Sequence, residues 1–371
     1  MNDLFLEGSI SNPTLLLDEA TCKQNIRRMA EKAKRHDLVF RPHFKTHQSL
    51  HIGQWFKAVG VDKITVSSLA MAEYFSEGGW EDITVAFPVN LREIERIRKL
   101  ASAIRLNLLV ESVASVEFLS ENLDTPVQVF IKIDSGYHRT GILADDTQKL
   151  GAVLGAIERS DILNFSGFLT HAGHSYGARS HKEIAEIHAS STGALKKLKD
   201  TYQSQFPGLI VSIGDTPTCS VMEDFEGIDE IRPGNFVFYD LVQYAIGACQ
   251  LDNIAVAMAC PVVAKHEERQ ELIVYGGGVH FSKDQLVLKH GAKPIFGAVA
   301  DHKEGNWIAG DLTRNYVSKL SQEHGTIKVE KEVFDRYDIG SIIVILPVHS
   351  CLTANLMKSY LTLEGNEVDR F

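Results

Sequence analysis

Eight short apolar, β-branched runs, separated for the most part by longer amphipathic stretches, constrain this chain more than any other feature. The runs are Val39–Phe44, Lys63–Ser68, Asp82–Pro88, Ile104–Glu111, Val127–Asp134, Phe165–His171, Leu209–Ile213 and Glu230–Arg232. Segments such as Arg92–Ala103 and Ser180–Tyr202 fill the intervals. Eight strand–helix units in one continuous stretch predict an α/β fold, a (β/α)8 barrel of the TIM type. A doubly wound sheet is the rival, but it more often has fewer strands. The earlier run Thr14–Asp18, leading into a helix from Glu19 to Lys34, reads as an entry element ahead of the barrel.

After Gly247 the rhythm changes. Ile254–Lys265, Glu271–Tyr275, Gln285–Lys289, Ile327–Val329, Ser341–Pro347 and Tyr360–Leu363 read as strands without long helices between them. Glycine positions such as Gly276-Gly277-Gly278 and Gly365 punctuate them as turns. The expected division is therefore a barrel over residues 11–246 and a β-rich domain over 247–371, with residues 1–10 pairing to the latter.

Composition excludes several classes. Of 371 residues, 44% are hydrophobic and 23% charged, as in a soluble globular protein. The net charge of -10 offers no basic footprint for nucleic acid. No apolar run is long enough for a membrane span, and the start of the chain lacks the pattern of a signal peptide. Cys22, Cys219, Cys249, Cys260 and Cys351 are scattered and odd in number, which argues for a reducing, cytoplasmic setting.

Polar residues gather where the predicted barrel strands end: Lys45, Ser67-Ser68, Glu111, Asp134, His171 and Gly214-Asp215-Thr216. In a barrel, these ends build the active site. Lys45 follows the apolar run Leu38-Val39-Phe40. A lysine at the end of a buried strand is expected to lose part of its charge by desolvation, which frees its amine to form a Schiff base. His43 and His47 flank it at i−2 and i+2. They share its face if the strand persists and tune its pKa, or else they pack in the core. Gly214-Asp215-Thr216-Pro217-Thr218 and Arg232-Pro233-Gly234-Asn235 follow predicted strands seven and eight, where barrels often bind phosphate. Each is also an ordinary turn sequence. Pyridoxal 5'-phosphate is the phosphate cofactor that uses a Schiff-base lysine.

Near the far end stands His349-Ser350-Cys351. On a strand, residues i and i+2 share a face, so both side chains reach one ion. Imidazole with thiolate suits zinc, and two ligands leave positions for water and substrate. A buried cysteine beside a histidine is the alternative that the residues alone leave open. Gly276-Gly277-Gly278 reads as a turn rather than a phosphate cradle, and Glu323-His324 has no evident role.

Seven segments together resemble the D-serine dehydratase and D-threonine aldolase family, whose members look like alanine racemase in pairing a barrel with a β domain. They are Arg41-Pro42-His43-Phe44-Lys45-Thr46-His47, the run from Ile133 to Gly141, the run from Gly167 to Tyr176, Gly214 to Thr218, Arg232 to Asn235, Ser321 to Gly325, and His349-Ser350-Cys351. They span nearly the whole chain in the family's order. The resemblance implies that Lys45 carries pyridoxal phosphate and takes the α-proton. It implies that His171 packs against the ring, and that Arg139 or Arg232 lies near its nitrogen or hydroxyl. Thr216, Gly234, Asn235 and Tyr239 would hold the phosphate, with Tyr176 and Gly214 also at the cofactor. Arg139 as a surface ion-pair partner and Tyr239 as a core aromatic are what the residues alone would indicate.

His349 and Cys351 would hold zinc, with manganese or another divalent ion as a variant. The cysteine at the second position resembles the dehydratases, whereas the aldolases tend to have a carboxylate there. The implied reaction is loss of water from a β-hydroxy D-amino acid, D-serine giving pyruvate and ammonia. D-Threonine and 3-hydroxy-D-aspartate fit the same chemistry. An aldolase is the first alternative, ahead of an amino-acid racemase or a pyridoxal phosphate carrier without turnover. The family resemblance also implies a homodimer.

Overall fold

The computed structural model describes residues 8–288, 293–303 and 306–371. The chain divides into two compact units. One comprises Arg27–Gly234 with Phe371; the other comprises the chain up to Ile26 with Asn235–Arg370.

The first unit is built on eight parallel strands: β1 Val39–Phe40, β2 Lys63–Val66, β3 Asp82–Pro88, β4 Arg105–Val110, β5 Val127–Asp134, β6 Leu163–Thr170, β7 Ile210–Ile213 and β8 Glu230–Ile231. Their order is β1-β8-β7-β6-β5-β4-β3-β2, with Ile142–Leu143 paired alongside β5. The remaining gap, between β1 and β2, is spanned beyond the end of β1. There His43 bridges Thr65, Thr65 N–H donates to Pro42 O at 2.9 Å, and Phe44 N–H donates to Thr65 O at 2.8 Å. The sheet is thus a nearly closed parallel barrel. All eight expected strands are present: β3 and β5 keep the expected bounds, β6 starts two residues earlier and ends one sooner, and the rest are shorter by one to four residues, most at β1, which the sequence carried to Phe44.

Strand-to-helix turns follow a recurring local rule. Ser49, Ser68, Ser112, Ser180 and Asp215 each cap a helix by accepting from the backbone N–H three residues on. Such caps satisfy donors that the first helical turn leaves unpaired.

The barrel interior carries a buried polar chain. Asp82 Oδ1 accepts from Arg41 Nη1 at 2.6 Å and from Asn107 Nδ2 at 2.8 Å. Arg41 Nε donates to Glu230 Oε2 at 2.6 Å, and Glu230 Oε1 accepts from Ser212 Oγ at 2.6 Å. Ser212 Oγ accepts in turn from Arg232 Nε at 2.7 Å. Each buried charge has a partner of opposite sign or a hydrogen bond, the condition for tolerating it inside a core.

The second unit has a six-strand closed antiparallel sheet: β9 Val256–His266, β10 Glu271–Tyr275, β11 Gly297–Lys303, β12 Tyr316–Leu320, β13 His324–Lys328 and β14 Ile342–Pro347. The order β10-β13-β12-β11-β14-β9 returns to β10, so the ring leaves none of the six with an open edge.

Thr14–Leu17 lies antiparallel to β9 and parallel to Tyr360–Thr362. It is therefore not an entry element of the barrel. Its four residues are nearly all buried and find their ladder partners in the other sheet. The observed divisions, Ile26/Arg27 and Gly234/Asn235, lie inward of the expected 11 and on the near side of 246. The expected pairing of residues 1–10 falls largely outside the described residues. Of the expected strand Gln285–Lys289, Leu286 forms a single bridge to Ile295, and Lys289 lies outside the described residues. The sequence reading passed over β11 and β12. β11 reads Gly-Ala-Val-Ala-Asp-His-Lys, poor in β-branched residues, and its pairing to β14 supplies what local propensity lacks.

Candidate active site

Lys45 stands past the end of β1 in the turn 44–47, not within a strand. The side chain is exposed, between buried Phe44 and buried Thr46. This corrects the expectation of a lysine buried at a strand end: β1 ends at Phe40, so His43, Lys45 and His47 do not share a strand face. His47 is a packing residue. It is fully buried, stacked 5.6 Å from the Phe56 ring and 4.4 Å from that of Phe44.

Lys45 nevertheless joins a crowd of cationic groups at the C-terminal ends of the strands. Burial, then Lys45, Arg232 and His171, hold His43 well below the usual imidazole range. Burial and Lys45 pull His171 down to about 3, against the bond it makes to Gly214 O. A carbonyl only accepts, so Nδ1 of His171 carries the hydrogen and the ring is neutral. Its ring centroid lies 6.0 Å from that of Tyr137 and 6.3 Å from that of Tyr176.

Lys132 is the residue that the sequence reading missed. It is buried on β5, donates to Ile133 O at 2.9 Å, and is lowered to about 7 by burial, Arg232 and Arg139. A lysine inside the apolar run Phe130-Ile131-Lys132-Ile133 is the same signal that singled out Lys45. Arg139 is exposed, its guanidinium 5.0 Å from the Tyr137 ring centroid. Arg232 is buried. It donates to Ser212 Oγ and, at 2.5 Å, to Thr170 O; burial lowers it to about 10, so it stays charged at neutral pH.

The two glycine loops are shaped by the protein itself. A Cβ on Gly214 would lie 2.9 Å from Arg232 O, and one on Gly234 would lie 2.9 Å from His43 O. Both glycines therefore allow close backbone approach. Thr216 is buried, with its N–H donating to Tyr176 Oη at 3.3 Å. Asp215 organises this loop, accepting from Thr218 N and Oγ1 and from Ser175 Oγ. At the same ends of the strands, Glu111 Oε2 and His174 Nδ1 are buried without a hydrogen-bond partner among the described residues. Orphaned polar atoms beside a lysine and a neutral imidazole fit a polar group that the protein alone does not supply.

In the second unit, His349 and Cys351 are not on a strand. β14 ends at Pro347, His349 caps the helix Ser350–Leu356, and Cys351 lies in its first turn. The side chains still meet: Cys351 hydrogen-bonds to the His349 ring. His349 Nδ1 lies 2.5 Å from Asp284 Oδ2. Burial opposes the ring's charge, yet Asp284 and then Cys351 raise it to about 11.

Asn235 donates to Asp240 Oδ2 at 2.7 Å, to Ser350 Oγ at 3.0 Å and to Cys351 Sγ at 3.4 Å. Its Nδ2 thus links Asp240 to the His349–Cys351 segment, while its Oδ1 is buried without a hydrogen-bond partner among the described residues. Asp240 Oδ2 also accepts from Ser350 N at 3.0 Å. Tyr239, next in line, holds a left-handed backbone at φ +49, a strained state for an aromatic residue. Sequence reasoning missed Asp284 and Asp240, which no local spacing links to His349.

Among the described residues, no group of three or more His, Cys, Asp or Glu side chains forms a metal cage. The donor set of His349 and Cys351 fits a divalent ion bound by two protein ligands, with a carboxylate behind the histidine in the pattern usual for metal-ligating imidazoles. The triglycine turn is no cradle. A Cβ on Gly277 would lie 2.2 Å from Gln322 O, and Gly278 N–H donates to Ser321 O at 2.8 Å.

A parallel barrel with a lysine past its first strand, paired with a closed antiparallel sheet, defines the alanine racemase-like class. Residues 17–241 match the alanine racemase N-terminal domain, and residues 255–363 match the putative serine dehydratase domain. The chain belongs to the alanine racemase-like family of D-serine dehydratases and D-threonine aldolases, pyridoxal phosphate-dependent lyases of β-hydroxy D-amino acids.

It is 31% identical to a D-serine dehydratase of Dictyostelium discoideum, over 97% of this chain and 95% of that one. It is 28% identical to the D-threo-3-hydroxyaspartate dehydratase of Delftia sp., over 99% and 97%. The solved structure of the Delftia enzyme superposes with a TM-score of 0.90 at 27% identity, covering 99% of this chain and 98% of that one. A cysteine-to-alanine variant of that enzyme, in the metal-free form, gives a TM-score of 0.90 at 26% identity, covering 99% and 98%.

No helix among the described residues is long and apolar enough to cross a membrane.

Proposed function

We propose that this chain removes water from a β-hydroxy D-amino acid, D-serine first among them, with pyridoxal phosphate on Lys45 and a divalent ion, zinc foremost, on His349 and Cys351. The observation that carries the reading is the His349–Cys351 contact with Asp284 behind the imidazole. That is a nitrogen and a sulfur donor side by side, with the ring orientation set by a carboxylate.

Bound pyridoxal phosphate would supply the electron sink that acidifies the α-proton. The ion would supply Lewis acidity at the β-hydroxyl. The chain's own groups do the rest. The Lys45 amine takes the α-proton. The neutral His171 ring, fixed through Nδ1 by Gly214 O, offers a flat face without adding charge. Buried Arg232, held by Ser212 and Thr170, and exposed Arg139 would supply positive charge for an anionic cofactor and a substrate carboxylate. Thr216, Tyr176, Gly214 and Gly234 would lie around the cofactor. Asn235 and Tyr239 would lie at the phosphate, and we assign the Asn235 amide, which reaches Ser350 and Cys351, to supporting Cys351 as well. The balance is simple: D-serine loses its α-proton and β-hydroxyl as water, and hydrolysis of the resulting enamine gives pyruvate and ammonia. The relatives' activities and Cys351 support dehydration over Cα–Cβ cleavage. A homodimer is part of this reading, and light scattering tests it.

The deciding experiment gives the holoenzyme D-serine and, separately, D-threonine. Pyruvate and ammonia from D-serine, lost on chelation and in Lys45→Ala, is the expected result. Glycine and acetaldehyde from D-threonine, with no keto acid from either, would make the chain an aldolase.

A further inference from the structure

Phe371 groups with the barrel, while Asn235–Arg370 belong to the other unit. Its backbone N–H donates to Gln48 O at 2.7 Å. Its ring lies 5.0 Å from the Tyr74 ring, tilted by 39°. The first contact falls on the turn that presents Lys45, and the second on Tyr74 of the helix Leu69–Glu77.

Gln48 closes that turn. It lies three residues beyond Lys45, buried, at φ +50, a left-handed backbone that a non-glycine residue adopts only at a cost. Its N–H donates to Phe44 O at 2.9 Å, and its side-chain Nε2 donates to Lys45 O at 3.0 Å. Tyr74 Oη accepts from Leu50 N at 3.3 Å, at the start of the next helix. The Phe371 backbone thus holds the strained residue, and its ring backs the tyrosine that holds the helix start. Lys45 itself is exposed and outside any strand. The turn carries its backbone, and Gln48 Nε2 holds Lys45 O.

We propose that Phe371 is a positioning residue for Lys45, acting through Gln48 and Tyr74 on the turn 44–50. This rests on the reading of Lys45 as the cofactor lysine. A catalytic amine displaced by a fraction of an ångström loses rate steeply, because proximity carries much of the acceleration. Phe371 is 45% exposed, so replacing it spares the core.

Three full-length variants separate the contacts. Phe371→Pro removes both the donated hydrogen and the ring, Phe371→Ala removes the ring alone, and Phe371→Tyr keeps both. The readouts are amide exchange over residues 44–50 in cofactor-free protein, the pH midpoint of the lysine-linked cofactor's absorbance, and kcat and KM for D-serine.

Phe371→Pro is expected to exchange faster there, to shift the midpoint, and to lose kcat by about tenfold with KM nearly unchanged. Phe371→Ala should fall between, and Phe371→Tyr should match the parent, all with the parent's melting temperature. A Phe371→Pro protein with the parent's exchange, midpoint and kcat overturns the proposal, as does a loss that merely tracks a lowered melting temperature. Borohydride reduction of the parent holoenzyme, followed by peptide mapping, keeps the two readings apart. Hydride at another lysine overturns the assignment of Lys45. Hydride at Lys45 beside an unaffected Phe371→Pro overturns the role of Phe371 alone.

Discussion

His349 Nδ1 lies 2.5 Å from Asp284 Oδ2, across 65 residues of sequence. A carboxylate that takes the Nδ1 hydrogen leaves Nε2 as the ligand and strengthens it as a base. Asp284→Asn keeps the shape and removes the charge. Zinc affinity, measured by competition with a chromophoric chelator, should weaken about 10- to 100-fold. An unchanged affinity would mean that His349 does not bind the ion through this arrangement.

Glu230 is fully buried between Arg41 Nε and Ser212 Oγ. Removing Glu230 leaves buried Arg41 with Asp82 as its remaining carboxylate and takes away the acceptor of Ser212 Oγ. Glu230→Ala should therefore cost about 3–5 kcal/mol in urea denaturation. Arg41→Met with Glu230→Leu, which removes both charges, should cost less than Glu230→Ala alone.

Lys132 predicts a pH dependence of stability. Its pKa falls from 10.5 unfolded to about 7 folded, so between those values the unfolded chain binds more protons and stability rises with pH. The burial penalty is full below pH 7 and gone above 10.5, at most about 5 kcal/mol. Lys132→Met should therefore gain most stability over the parent at pH 6 and least at pH 10. A gain independent of pH would show that the lysine pays no penalty for its charge.

His171 has the same sign in a different window. Lowered to about 3 from 6.5, it favours the neutral folded form, and its stabilisation is lost as pH falls from 6.5 toward 3. The ring's NMR shifts in histidine-labelled protein should not titrate between pH 5 and 8. Protonation in that range would remove the case for a neutral ring against the cofactor.

The barrel was legible because parallel strands buried by helices read as apolar runs wherever they occur, and all eight were found. β11 was not legible, since Ala298 and Ala300 carry little intrinsic strand preference; β14 and β12 pair with it. Thr14–Leu17 showed itself as a strand but not as a member of the second sheet. Apolarity announces burial without naming the neighbour.

Among the site residues, Lys45, His171, His349 and Cys351 stood out by chemical type at particular places. The short segment His349-Ser350-Cys351 was recognisable, but its helix-cap geometry was not. A one-turn helix start and a strand end both bring i and i+2 within reach of a common point. Asn235 was legible as a motif residue. Which loop its amide serves depends on Asp240 and Ser350, the latter 115 residues away.

Legible in the chain was the inventory: the eight strand–helix units, the separate β domain, the lysine after the first barrel run and the His–Cys pair. These rest on local composition and period, which act over a few residues. Tertiary structure alone decided the partners. It put Asp284 on His349, Glu230 between Arg41 and Ser212, Lys132 among arginines, and Phe371 on Gln48. Those pairings join residues tens to hundreds of positions apart, and pKa and orientation follow from the distance in space that folding imposes. Spacing along the chain does not carry that distance.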